Sequence, residues 1–166
     1  MFRVLILSAI LMLQACASVS RVPVYPLRIG ETQLVKLNLT EQQIRTRLET
    51  EYKRWQGTPY RFGHQLPGLA ADCSGFTQSV FKNQLSIDLP RTTRKQISIG
   101  QKISLKHAKA GDLVFFNLKN GYGHVAIYLE NNIVMQATTS RGVTKTNLNT
   151  NPWWAQRVFK VKRIFN

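Results

Sequence analysis

Acidic side chains are scarce in this chain. Eight Asp and Glu stand against 23 Lys and Arg over 166 residues, a formal charge of +15. From Asn131 to Asn166 there is no acid at all, while Arg141, Lys145, Arg157, Lys160, Lys162 and Arg163 are basic. Cysteine is scarcer still. Two residues, Cys16 and Cys73, cannot build a disulfide-stapled mini-fold. No C-x-x-C, H-E-x-x-H or carboxylate cluster occurs, so no metal site is expected. No P-loop and no G-x-G-x-x-G occurs either, and no cofactor is expected. Beyond the first twenty residues no uncharged apolar stretch reaches ~20 residues, which excludes a polytopic membrane protein. Internal repeats and low-complexity tracts are missing. What remains is ordinary globular usage, 43% apolar and 19% charged, long enough for one domain with a real core.

The first twenty residues are a different matter. Arg3 is a short positive start, Val4 to Leu13 is apolar apart from Ser8, and small residues follow at Ala15, Cys16 and Ala17. This is the layout of a secretory signal. Leu13-Gln14-Ala15-Cys16 resembles the bacterial lipobox, which implies cleavage after residue 15 and lipid on Cys16. An uncleaved anchor and a plain signal peptide are the alternatives. Ala17 after the cysteine favours, by the same resemblance, an outer-membrane over an inner-membrane destination, with the chain facing the periplasm. If Cys16 carries lipid, Cys73 is a lone thiol in an oxidising compartment, either buried and inert or kept for reactivity.

Residues 16–39 hold two prolines, little charge and no strong period, and read as a membrane-proximal linker. Residues 40–166 are the expected domain. Thr40 and Gln43 have capping-box spacing, and Ile44, Leu48, Tyr52 and Trp55 share one face of a helix that Gly57-Thr58-Pro59 ends. Asp72 is the expected N-cap of a second helix, from Cys73 to about Asn83. A third is expected from Thr92 to Ile99, with Gly100 just past its end. The pattern then turns to strands at 112–116, 124–129, 133–137, 142–147 and 158–165, separated by turns such as Asn120-Gly121 and Asn131-Asn132. Helices first and strands afterwards predict an α+β fold with an antiparallel sheet.

Cys73 in the first turn of a helix would feel the positive helix end and nearby backbone N–H groups. Both favour a thiolate, and the same N–H groups can hold an oxyanion. A small buried hydrophobe is an equal reading of the local sequence. A thiolate nucleophile needs a base, and His124 opens an apolar strand after a Gly-containing turn. His107 lies among lysines and reads as solvated; His64 in the preceding loop is the fallback.

Taken in order, the motifs say more. Trp55-Gln56-Gly57-Thr58-Pro59-Tyr60-Arg61-Phe62-Gly63 precedes Asp72-Cys73-Ser74-Gly75-Phe76. Leu89-Pro90-Arg91-Thr92-Thr93, Ala110-Gly111-Asp112-Leu113-Val114-Phe115-Phe116 and Gly123-His124-Val125-Ala126-Ile127-Tyr128 follow. This set, from about Glu49 to Arg163, closely resembles the NlpC/P60 family of cell-wall cysteine peptidases, and most of all its short lipoproteins. The resemblance implies a papain-like α+β fold with helices packed on an antiparallel sheet. It implies Cys73 as nucleophile and His124 as base, acting on amide bonds of peptidoglycan stem peptides. Gln136 matches the family's third polar position, where its amide oxygen would accept from the imidazole Nδ1–H. Tyr60 matches a candidate oxyanion donor or substrate contact. Asp72 and Ser74 match residues at the substrate's amino end, and Asp72 is then both helix cap and ammonium partner. Arg91 would meet a substrate carboxylate or simply be solvated. Trp153 and Trp154 read as core and rim packing.

The basic excess suits an anionic wall or lipid headgroups. Nucleic acid is not an expected partner, because the signal argues against it and no RNP, zinc-finger or helix-turn-helix pattern appears. A monomer tethered to the membrane through Cys16 is expected. A reading from another class is a non-catalytic, membrane-tethered wall-binding or adaptor lipoprotein with the same fold. Gln136 and His64 keep it open, and acyl transfer by the same thiol is a narrower variant of the enzyme.

Overall fold

The computed structural model describes residues 25–26, 34–118 and 123–166. The expected signal segment, the Cys16 lipid site and the Asn120-Gly121 turn lie outside the described residues. The elements run β1 (Tyr25–Pro26), α1 (Glu41–Trp55), β2 (Gln65–Leu66), β3 (Ala70–Ala71), α2 (Cys73–Leu85), β4 (Ile87–Asp88) and α3 (Thr93–Gln96). Then come β5 (Gln101–Ile103), a 3-10 turn (Leu105–His107), β6 (Leu113–Phe116), β7 (His124–Glu130), β8 (Ile133–Thr138), β9 (Gly142–Asn147), α4 (Pro152–Ala155) and β10 (Val158–Arg163). Helices lead and strands follow, as the α+β expectation has it.

Six strands form one sheet in the order β5-β10-β6-β7-β8-β9, every neighbour antiparallel. Its central strands read as unbroken apolar runs because both faces are covered. Leu113, Phe115, Val125, Ile127 and Leu129 point into the main core with α1 and α2, while Val114, Phe116, Ala126 and Tyr128 point into a second core. Leu105, Ala108, Trp154 and Ala155 pack against that second core. On the helical side Trp55 and Phe76 meet edge to face at 5.5 Å, a pair worth about 1 kcal/mol beyond the area it buries.

The first two helices start where their caps place them. Thr40 and Gln43 form the reciprocal capping box. The Asp72 side chain accepts from the Gly75 N–H at 2.7 Å and starts α2 at Cys73. Glu51, invisible in the apolar periodicity, is fully buried where α1 meets α2. It accepts from Trp55 Nε1 (2.9 Å), Asn83 Nδ2 (2.9 Å) and Gln84 Nε2 (2.7 Å). Burial raises its pKa, but those donors and Arg54 outweigh burial and hold the carboxyl below its ordinary range.

Three expectations need correction. The third helix is one turn, Thr93–Gln96, rather than eight residues. Ile97 closes it, and Gly100 at φ +69 turns the chain into β5, where a Cβ would meet the Arg163 carbonyl at 2.3 Å. The second helix runs on to Leu85 and stops at Ser86 in a left-handed conformation. The linker also ends earlier than residue 39. Val35 and Leu37 are buried, and their N–H groups donate to Ile164 and Asn166. Residues 25–26 pair parallel with β4.

Candidate active site

A cleft of ≈ 1330 Å³ opens at the end of the sheet where β7 begins. Cys73 enters from the helical side, as a member of the main core; His124 enters beside Phe116 and Trp154 on the other face. Helix α2 lies on β7 and β8, so its first residue is carried to the strand end. The Val125 and Ser74 backbone N–H groups lie close enough to Cys73 Sγ to favour its charged form, and Thr93 Oγ1 is 3.6 Å away.

His124 is 5% exposed. Its Nε2 is 2.8 Å from Gln136 Oε1, and Gln136 Nε2 donates to Thr146 Oγ1 at 2.9 Å. With the amide placed so, its oxygen only accepts; the proton sits on imidazole Nε2 and Nδ1 is left free to take another. This corrects the expected Nδ1 contact. His124 and Gln136 stand on one face of paired strands, and the ring reaches across to β8 with its far nitrogen. Trp154 lies against the imidazole at 4.8 Å between centroids, and Phe116 backs both rings.

Burial dominates the charges here. It pulls the His124 imidazole down to about 4, against the opposing pull of the Gln136 acceptor. It also pushes the Cys73 thiol up. The Thr93 hydroxyl and the Val125 and Ser74 N–H groups oppose burial without overcoming it. The expected depressed thiol is therefore corrected. The helix start does supply donors, but Cys73 is 7% exposed and desolvation wins. At neutral pH the resting pair is a neutral thiol and a neutral imidazole.

Tyr60 lines the cleft beside the strand bridge it makes with Ala71. Burial, then the charges of Cys73 and Asp72, push its phenol up to about 12, so it stays a hydrogen-bond donor. Asp72 is saturated. Oδ1 accepts from Gly75 N–H, from Arg91 Nη1 (2.9 Å) and from Ser74 Oγ (3.2 Å); Oδ2 accepts from Gly63 N–H (2.7 Å) and Arg91 Nη2 (2.7 Å). Burial alone would raise its pKa, and these donors hold it below the ordinary range. Arg91 is thus held on Asp72 by a two-pronged ion pair at the wall of the cleft it lines, a third of its side chain still exposed. It occupies the position on Asp72 that a substrate ammonium was expected to take, and it also reaches Ser74 Oγ at 3.1 Å. Gly75 has its own reason in the motif, since a Cβ there would meet the His64 carbonyl at 2.7 Å.

His64, half-buried, and His107, exposed, bond locally, to the Phe62 carbonyl and to Ser104 Oγ. Cys73, His124, Tyr60, Asp72, Ser74 and Arg91 all line the cleft, with Gln136 directly behind His124. Among the described residues no group of three His, Cys, Asp or Glu is arranged to hold a metal ion.

The family model for the NlpC/P60 family matches residues 57–163. That span includes every cleft residue just named. The chain belongs to the NlpC/P60 family. The probable endopeptidase NlpC of Escherichia coli K12 is 38% identical over 119 residues, covering 70% of this chain and 76% of that protein. The murein DD-endopeptidase MepS/murein LD-carboxypeptidase of the same strain is 35% identical over 123 residues. That match covers 74% of this chain and 64% of the relative's length. Among solved structures, an NLP/P60-family protein of Staphylococcus aureus, described as similar to a lipoprotein, superposes with a TM-score of 0.67 at 31% identity. It covers 82% of this chain and 45% of that one.

Two residues of this NlpC/P60 site, Thr93 and Thr146, have no signal of their own in the sequence. Thr93 stands two residues after Arg91 in its motif, and its contact with Cys73 spans 20 residues of chain. Thr146 sits in a strand whose outward residues look alike in sequence. Trp154, expected as packing, does pack against Phe116 in the second core and also lies on the His124 ring, carried there by a helix start at Asn151-Pro152. The Asn151 side chain does accept from Trp154 N–H at 3.2 Å.

Proposed function

We propose that this chain is a cysteine peptidase that hydrolyses amide bonds in peptidoglycan stem peptides. One observation carries the reading. A lone thiol at a helix start and an imidazole with its Nε2 committed to Gln136 open into the same cleft. The relatives named as murein endopeptidases supply the substrate class.

The chemistry follows from the neutral resting pair. As Cys73 Sγ attacks the amide carbonyl carbon, its proton passes to His124 Nδ1. A C–S bond forms, and the carbonyl electron pair moves onto oxygen. The Cys73 backbone N–H and the protonated Tyr60 hydroxyl face that oxyanion. Collapse breaks the C–N bond while His124 returns its proton to the leaving amine. Water, deprotonated by His124, then hydrolyses the thioester and regenerates the thiol. Gln136 holds the imidazole tautomer that makes Nδ1 the base, and Thr146 takes up the other end of its amide. Arg91 and Asp72 act one step back by fixing the helix start that carries Cys73.

In this reading the protein is a monomer in the cell envelope. Lipid on Cys16 tethers it to the membrane, the outer one by preference, and a short linker carries the domain. The full chain with Cys16→Ser, incubated with purified peptidoglycan, is expected to release fragments with new amino and carboxyl termini, read by mass spectrometry. A folded protein that releases none from several wall preparations would favour the adaptor reading.

A further inference from the structure

Thr93 touches the sulfur of Cys73. Its Oγ1 is 3.6 Å from Cys73 Sγ. Either atom can be the donor in that contact. The direction of the bond is settled by chemistry. A neutral thiol can donate to Oγ1, but once the proton has gone to His124 only the threonine can donate.

The contact is built from several sides. Thr92 caps the turn by accepting from the Lys95 N–H, and the Thr93 carbonyl accepts from Ile97 N–H at 3.0 Å. Gln96, three residues on, is fully buried, and its Nε2 donates to the Ser74 carbonyl (3.1 Å) and the Pro90 carbonyl (2.8 Å). That amide ties the turn to the first residues of α2 and so fixes Thr93 against Cys73. On the other side, the Thr93 methyl lies 3.4 Å from where a Cβ on Gly123 would be, one residue before His124. A β-branched side chain wedged this way has little rotamer freedom.

We propose that Thr93 is a catalytic residue whose hydroxyl donates to Cys73 Sγ and holds the charge the sulfur carries when its proton leaves for His124. The inference rests on the proposed Cys73–His124 chemistry but is testable without substrate. In so buried a site a hydroxyl donor matters more than in water, because few other dipoles can replace it.

The test is the pH dependence of Cys73 alkylation by iodoacetamide in the full chain carrying Cys16→Ser. Thr93→Val keeps the shape and removes the donor; Thr93→Ser restores the donor without the methyl. Thr93→Val is expected to move the alkylation midpoint up by about one pH unit, about a tenfold loss of thiolate below it. Thr93→Ser should titrate with the unsubstituted protein. On peptidoglycan, kcat should fall with the alkylation rate while KM holds. If Thr93→Val does not fold, Thr93→Ala read against Thr93→Ser gives the same comparison. An unchanged midpoint in Thr93→Val overturns the proposal, as does a Thr93→Ser variant as impaired as the valine. A shifted midpoint in a protein inert toward peptidoglycan would uphold Thr93 and defeat the peptidase reading instead.

Discussion

Burial of His124 makes acid stability a direct reading of the site. The imidazole is 5% exposed, and burial lowers its pKa from 6.5 to about 4. An unfolded chain takes up that proton as pH falls through 6.5, whereas the folded one waits until about 4. A group with a depressed folded pKa contributes stability that is present above its unfolded pKa and lost as pH falls toward the folded one. Moving this proton uptake from 6.5 down to about 4 corresponds, at pH 4, to a loss of roughly 3 kcal/mol. Asp72 and Glu51, also held low, lose stability in the same direction, so the measurement must be a difference. Urea unfolding of the protein and of His124→Gln, at about pH 7 and about pH 4, isolates the histidine. The protein should lose roughly 3 kcal/mol more than the variant over that interval. Losses within about 1 kcal/mol of each other would refute the buried neutral imidazole. A resting thiolate–imidazolium pair would reverse the sign.

Two further outcomes follow from the same geometry. Arg91→Met leaves the Asp72 carboxylate, which is nearly buried, without its bidentate partner. The arginine is a third exposed, so the expected cost is about 2 kcal/mol rather than the larger figure of a fully buried pair, read as a lower urea midpoint. Gln136→Leu removes the acceptor from His124 Nε2 and frees the imidazole to adopt the wrong tautomer. It should lower kcat on peptidoglycan at least about tenfold with KM unchanged, and a kcat within twofold would remove Gln136 from the mechanism.

How much of this was legible before the structure depends on where each signal sits in the chain. The capping box at Thr40, the N-cap at Asp72 and the apolar strands are local patterns, and each element begins within a residue or two of its expected start. The third helix fell short because Gln96 and Ile99 are buried for different reasons, one bonding carbonyls of the loop and of α2, the other packing in the core. Strand β5 carries Gln101 and Lys102 on an exposed edge and has no alternation to read. The site divides the same way. Cys73, His124 and Gln136 could be named from motifs. The partner of Arg91 and the nitrogen that meets Gln136 depend on contacts across 19 and 12 residues. The thiol's direction could not be inferred from its helix position alone, because desolvation is set by tertiary packing that the motif does not encode.

The central claim is that Cys73 is the nucleophile, and one comparison tests it most directly. The full chain with Cys16→Ser and the same chain with Cys73→Ala are given equal amounts of purified peptidoglycan, with thermal unfolding recorded for both. The account predicts matching melting curves and a fall in fragment release of at least about a thousandfold in the alanine variant. Release from a folded Cys73→Ala protein at a rate near that of its parent would contradict it.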